Sequence, residues 1–172
     1  MPEHPRQQRV LVKATVAQNR GRSGWYLHGV YLQREGAQTQ GRGLGFDGER
    51  DDVSISKTLA RWQRAGDQHM FKLIVSPEHG SQLDMPTYAR DLVAVIEQDL
   101  ATKTQWVGID HYNNGHPHVH LLIRGRDAQG RELQLDADYL WDGIRQRARE
   151  VATRAPGWRT AGTTTPCCST TP

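Results

Sequence analysis

An α+β (mixed α/β) fold, built on a largely antiparallel central sheet of about five strands flanked by helices, is predicted by three features of the 172-residue sequence. Several short stretches alternate apolar and polar residues, the period of a strand with one buried face. Others repeat apolar residues every three or four positions, as amphipathic helices do. The two kinds are interleaved, and at least two strand-like stretches are joined by a connection too short for anything but an antiparallel pair.

The elements follow in order. Val10, Val12, Ala14 and Val16 alternate with polar or exposed neighbours and predict a first strand. "WYLHGVYLQREG" spaces Leu27, Tyr31 and Arg34 at helical intervals and stops at Gly36, so a short helix is expected, weakened by Gly29. Residues 36–52 hold five glycines without periodicity and predict a long mobile loop. "SKTLARWQRAG" predicts a short helix ending at Gly66, and Phe71 to Val75 a strand closed by Pro77. Leu92, Ile96 and Leu100, with Val93, mark a helix over 88–100. "TQWVGIDHY", "LLIRG" and "RELQL" complete the strands. A helix over 138–153 follows, with Leu140, Ile144, Ala148 and Val151 on one side. From residue 155 the chain turns Thr/Pro-rich and patternless, which predicts a domain over 1–154 and a disordered tail over 155–172.

Composition narrows the function. No apolar run approaches the ~20 residues of a membrane span, and "MPEHPRQQRV" lacks the apolar middle of a signal peptide, so a cytoplasmic protein without membrane insertion is expected. The only cysteines, Cys167 and Cys168, are adjacent and give no disulfide framework. The net charge of +3 is uneven: residues 1–50 carry eight Lys/Arg against four Asp/Glu, which allows a basic face.

Four of the eight histidines lie in "DHYNNGHPHVHLLIRG". If the flanking residues pair as a hairpin around Asn114-Gly115, the dipeptide favoured in type I′ turns, counting puts His111 opposite His118. His120 then points to the same side, while Val119, Leu121 and Ile123 point into a core. Three imidazoles on one face form a metal site that leaves coordination positions open. His116 shares the face as a donor behind the ligands or a substrate contact. The same letters, "HPHVH", also satisfy the pattern of histidine-triad nucleotide hydrolases, in which His118 would attack a phosphate without metal.

These motifs resemble those of the relaxases of conjugative or mobilisable plasmids, in the HUH endonuclease superfamily, whose signature here is His118-Val119-His120. "HYNNGHPHVH" is similar to the family's third motif, with His111 completing the metal triad. "VYLQREG" resembles the first motif and makes Tyr31 the nucleophile, with Tyr26 the runner-up. "FKLIVSPE" resembles the second and makes Ser76 a DNA contact. The likeness spans roughly residues 9–153 and is greatest to the subgroup with a long C-terminal extension. It departs at Asn113, where many relaxases carry an aspartate, and Asp110 falls on the wrong face to replace it.

The resemblance implies metal-dependent nicking and strand transfer of single-stranded DNA at an origin of transfer, through a 5′-phosphotyrosine. It implies Mg or Mn as the metal, with Zn a further option. The partners would be a type IV secretion coupling protein and accessory relaxosome proteins. Arg34, Arg124 and Arg126 are the expected phosphate contacts. On residue type alone Tyr31 is better read as a core aromatic of an amphipathic helix, and only the motif makes it the nucleophile. The rival functions are a rolling-circle replication initiator or transposase of the same superfamily, a histidine-triad hydrolase, and an inactive DNA-binding fragment.

Overall fold

The computed structural model describes residues 6–39, 43–112 and 115–157. Among them run β1 (Val10–Gln18), α1 (Gly24–Thr39), α2 (Ile55–Arg64), β2 (His69–Pro77), α3 (Met85–Leu100), β3 (Thr104–His111), β4 (His118–Asp127) and α4 (Ile144–Arg154). The sheet order is β1-β2-β4-β3, every neighbouring pair antiparallel. The α+β class is therefore as the interleaved periods predict, but with four strands.

The fifth expected strand, in "RELQL", is reduced to the isolated bridge Arg126↔Glu132, closed by bonds from Leu133 N–H to the Gly125 carbonyl and from Asp127 N–H to the Arg131 carbonyl. β4 already has β2 on one side and β3 on the other, so this segment finds backbone to pair with only past the end of β2. The expected loop over 36–52 is also shorter than predicted. α1 continues to Thr39, and Gly45 and Phe46 bridge to Val53 and Gly108, fastening the segment along the outer edge of β3. Residues 40–42 lie outside the described residues, as does the tail from 158.

Strand alternation sorts the side chains between two cores. Val10, Val12 and Ala14, with Phe71, Leu73, Val75, Val119, Leu121 and Ile123, meet α3 and α4 through Leu92, Ile96, Ile144 and Ala148. On the opposite face Met70, Val107, Ile109 and Leu122 meet Trp25 and Leu32 of α1 and Ile55, Leu59 and Trp62 of α2. That packing covers β3, β4 and the Met70 end of β2. Towards β1 the same face carries Leu11 and Lys13, both exposed.

Gly29, which lowers the helix propensity of α1, is the point at which α1 and α2 touch. A Cβ there would stand 2.5 Å from Ser56 Cα and 2.7 Å from its nitrogen. Helix propensity has been given up for a close crossing. The contact fixes the rotation of α1: Trp25, Gly29 and Leu32 face inward and Leu27, Val30 and Tyr31 are exposed. The stripe expected from Leu27, Tyr31 and Arg34 therefore lies on the outer side.

Asp67, in the α2–β2 connection, is fully buried and takes Nε of both Arg124 and Arg126 at 2.6 Å. These two expected phosphate contacts thus neutralise a core carboxylate, which would be costly to bury alone. Among the described residues no helix is long and apolar enough to cross a membrane.

Gly29→Ala should push α2 away from α1 and lower stability by about 1–3 kcal/mol, or roughly 2–4 °C of melting temperature per kcal/mol. Thermal denaturation followed by circular dichroism measures it, and an unchanged midpoint would show that the helices separate without cost.

Candidate metal and nucleophile site

The β3–β4 ladder ends on the pair His111↔His118, the register counted from the sequence. Asn113 and Asn114 lie outside the described residues, and Gly115 adopts φ +69°, a left-handed conformation that glycine takes without strain. Position parity brings His120 onto the same face. The three rings lie with centroids 5.4, 4.7 and 5.1 Å apart, and one nitrogen from each falls within 4.8 Å of the others.

Hydrogen bonding decides which nitrogens are available. A carbonyl oxygen can only accept, so Nε2 of buried His111, 3.0 Å from the Leu32 carbonyl, carries the proton. Its Nδ1 is then a lone pair, buried and without a hydrogen-bond partner. Likewise Nδ1 of His118 donates to the His116 carbonyl at 3.0 Å, leaving Nε2 as the free lone pair. Carbonyl-anchored imidazoles with the opposite nitrogen free are the usual arrangement behind a metal. Burial first, then the neighbouring imidazoles, Lys72 and His28, pushes His120 down to about 3. Burial also lowers His111. Both rings are thus neutral, as ligands must be. The residues fit a divalent cation bound by three nitrogens. His116 joins the site through its backbone carbonyl, its own side chain being exposed.

Above the histidines stands α1. Leu32, His28 and Glu35 occupy its inward and lateral faces, and Tyr31 sits one helical turn before Glu35. The Tyr31 hydroxyl donates to Glu35 Oε1 at 2.6 Å, and Oε2 of the same carboxylate lies 3.8 Å from His111 Nδ1. One side chain thus spans the distance between the tyrosine and the histidine cluster. The carboxylate hydrogen bond raises the Tyr31 pKa above that of a free phenol. Tyr31 is 56% exposed, so it is not a core aromatic.

The remaining candidates separate in space. Tyr26, about 140° around the helix from Tyr31, lines a recess of about 360 Å³ with Arg22 and Arg64. Ser76 Oγ donates to the Pro117 carbonyl at 3.3 Å, pinning the backbone just before His118. Arg34 is exposed on α1. Arg124 is four residues past His120, about 13 Å along an extended strand.

Two residues near the cluster were not singled out in the sequence, Glu35 and His28. Glu35 carried one readable signal, its i, i+4 spacing from Tyr31 on a helix. His28 is half-buried, and its pKa falls to about 4 through burial and the nearby Lys72. Nothing in its sequence neighbourhood announced it.

No curated protein matches the chain significantly. A family model described as "Relaxase: MobA/VirD2-like, nuclease domain" matches residues 31–154, beginning at the tyrosine and running through the strand that holds His118 and His120 to the end of α4. The match spans most of the sequence and includes every element of the site from Tyr31 onward, so the chain belongs to the MobA/VirD2-like relaxases, a family of DNA-nicking nucleases.

Proposed function

We propose that the chain nicks and transfers a single DNA strand at an origin of transfer, by attack of Tyr31 on one phosphodiester, and that residues 1–154 are the domain that does so. The observation that carries this reading is the Glu35 carboxylate, which holds the Tyr31 hydroxyl on one oxygen and approaches His111 with the other.

His111, His118 and His120 would hold a divalent ion, Mg or Mn, with Zn a further option. Bound there, it would draw charge from the non-bridging oxygens of the scissile phosphate. Tyr31 Oη attacks phosphorus from its place beside Glu35. The Tyr–O–P bond forms, the bond to the 3′ oxygen breaks, and the products are a 5′-phosphotyrosine and a 3′-hydroxyl. The phenolic proton passes to Glu35 Oε1, already within hydrogen-bond reach, and the departing 3′ oxygen takes up a proton from water. Because a phenolate is itself a competent leaving group, the 3′-hydroxyl of an acceptor strand reverses the step and reseals the DNA. Glu35 raises the Tyr31 pKa and so disfavours a resting phenolate, and its worth to the chemistry lies in taking the proton as the new bond forms.

Ser76, through its hold on Pro117, and exposed Arg34 are the DNA contacts carried forward. Arg124 and Arg126, engaged by Asp67, would reach phosphates only with the donors that pairing leaves over. A coupling protein of a type IV secretion channel and accessory relaxosome proteins are the partners proposed.

A labelled single strand carrying the origin of transfer, incubated with the protein and Mn, should yield a denaturation-resistant adduct that Tyr31→Phe abolishes and Tyr26→Phe retains. Glu35→Gln should slow adduct formation by roughly 10²–10⁴-fold, the usual worth of a positioned base. An adduct surviving Tyr31→Phe would reject the nucleophile, and no adduct with any metal would favour the inactive DNA-binding fragment.

Metal uptake followed by calorimetry should be lost in His118→Ala; unchanged affinity would reject the three-histidine site.

Stability of the metal-free protein should fall as pH drops below about 6.5, the ordinary imidazole value. The unfolded chain then takes up protons that folded His28 and His120 refuse, and the loss continues until these groups titrate in the fold. Melting temperatures between neutral and mildly acidic pH measure this slope, and His28→Asn should flatten it.

A further inference from the structure

The mechanism uses the histidine end of one sheet face and leaves the rest of that face open. Beyond the part covered by α1 and α2, β2 presents Lys72, Ile74 and Ser76, and β1 presents Leu11, Lys13 and Thr15. The register places them. Ile74 lies opposite His120 on one side and Lys13 on the other, and Leu11 lies opposite Ser76. Lys13 therefore stands two strands from His120, about 10 Å away, and Lys72 is a diagonal neighbour of both.

Two lysines in this relation repel each other, a cost a folded sheet normally avoids or cancels with a carboxylate. Here no acidic side chain pairs with either among the described residues, and both burial and Lys13 lower the Lys72 pKa. Beside them the sheet leaves apolar surface in solvent: Leu11 is 70% exposed and Ile74 only partly buried. From above, positions 28, 31 and 35 of α1 project from one side of the helix, since they are three, four and seven residues apart. Of these, Glu35 reaches Tyr31 on one side and approaches His111 on the other, so the open sheet surface begins beside the histidine cluster.

We propose that Lys13 and Lys72 form a binding site for the phosphate next to the one that is nicked, in a single DNA strand laid across β2 and β1, with Leu11 and Ile74 beneath its unstacked bases. The proposal rests on the DNA-nicking reading and extends it by giving the strand a path. Uncompensated ammonium groups call for a polyanion, and the aliphatic side chains beside them, exposed Leu11 and half-buried Ile74, call for one with uncovered base faces, which a duplex does not offer. The mutual repulsion of the lysines disappears once a phosphate sits between them.

Fluorescent oligothymidylate, titrated over a range of salt concentrations, tests the site without knowledge of the origin sequence. Lys13→Gln and Lys72→Gln should each reduce the slope of log affinity against log salt by about 0.7, and the double variant by about twice that. Lys13→Arg with Lys72→Arg should keep the slope. The melting temperature of the Gln double variant should stay at or above that of the parent, which separates lost binding from lost fold. An unchanged slope in the double variant, or an equal loss on a blunt duplex of the same length, overturns the proposal. A parent protein that binds oligothymidylate through these lysines yet forms no tyrosine adduct would defeat the nicking reading and leave this site standing.

Discussion

A single hydrogen bond, from Nε2 of His111 to the carbonyl of Leu32, joins the strand that carries the histidines to the helix that carries the tyrosine. It is buried, and it performs two tasks at once. It fixes the tautomer of His111 so that Nδ1 faces the cluster as a lone pair, and it sets the height of α1 above the sheet. Glu35, one turn beyond Leu32, is thereby held near His111, and Tyr31 is held through Glu35. The close crossing at Gly29 supplies the remaining constraint by fixing the helix rotation. Nucleophile and metal ligands thus come from segments about eighty residues apart in sequence, and their alignment depends on two backbone contacts that no charged side chain makes.

The site places opposed electrostatic demands side by side. A carboxylate hydrogen-bonded to a phenol disfavours phenolate, while a cation among the histidines would favour it. Burial keeps His111 and His120 uncharged, so these two rings can take a cation without first shedding protons. The chemistry proposed for Tyr31 lies between these influences, and Glu35 touches both.

Much of this was readable in the sequence, and for a definite reason. A strand has a period of two, so a short hairpin fixes every facing pair once its turn is found, and His111 opposite His118 followed by counting. Helices are less forgiving, because a stripe at helical spacing does not say which side is buried. In α1 the stripe of Leu27, Tyr31 and Arg34 proved to be the outer one, because tertiary contact at Gly29 outweighed hydrophobicity. Long-range ionic partners left no local trace: nothing near Arg124 or Arg126 indicated that Asp67, nearly sixty residues earlier, would claim both. His28 went unremarked because its role comes from where α1 docks, and Glu35 because its spacing from Tyr31 says nothing of the histidines it approaches.

The segment around Phe46 has an effect beyond the site. Phe46 exchanges both backbone hydrogen bonds with Gly108 at 2.8 Å, Gly45 packs beside it, and the Phe46 ring covers the space where a Gly108 side chain would be. An outermost strand with open backbone groups is a template on which another chain can stack. By occupying the middle of β3 with its own loop, the protein takes up the backbone groups of Gly108, so the strand that bears His111 offers a second chain no continuous run to pair with.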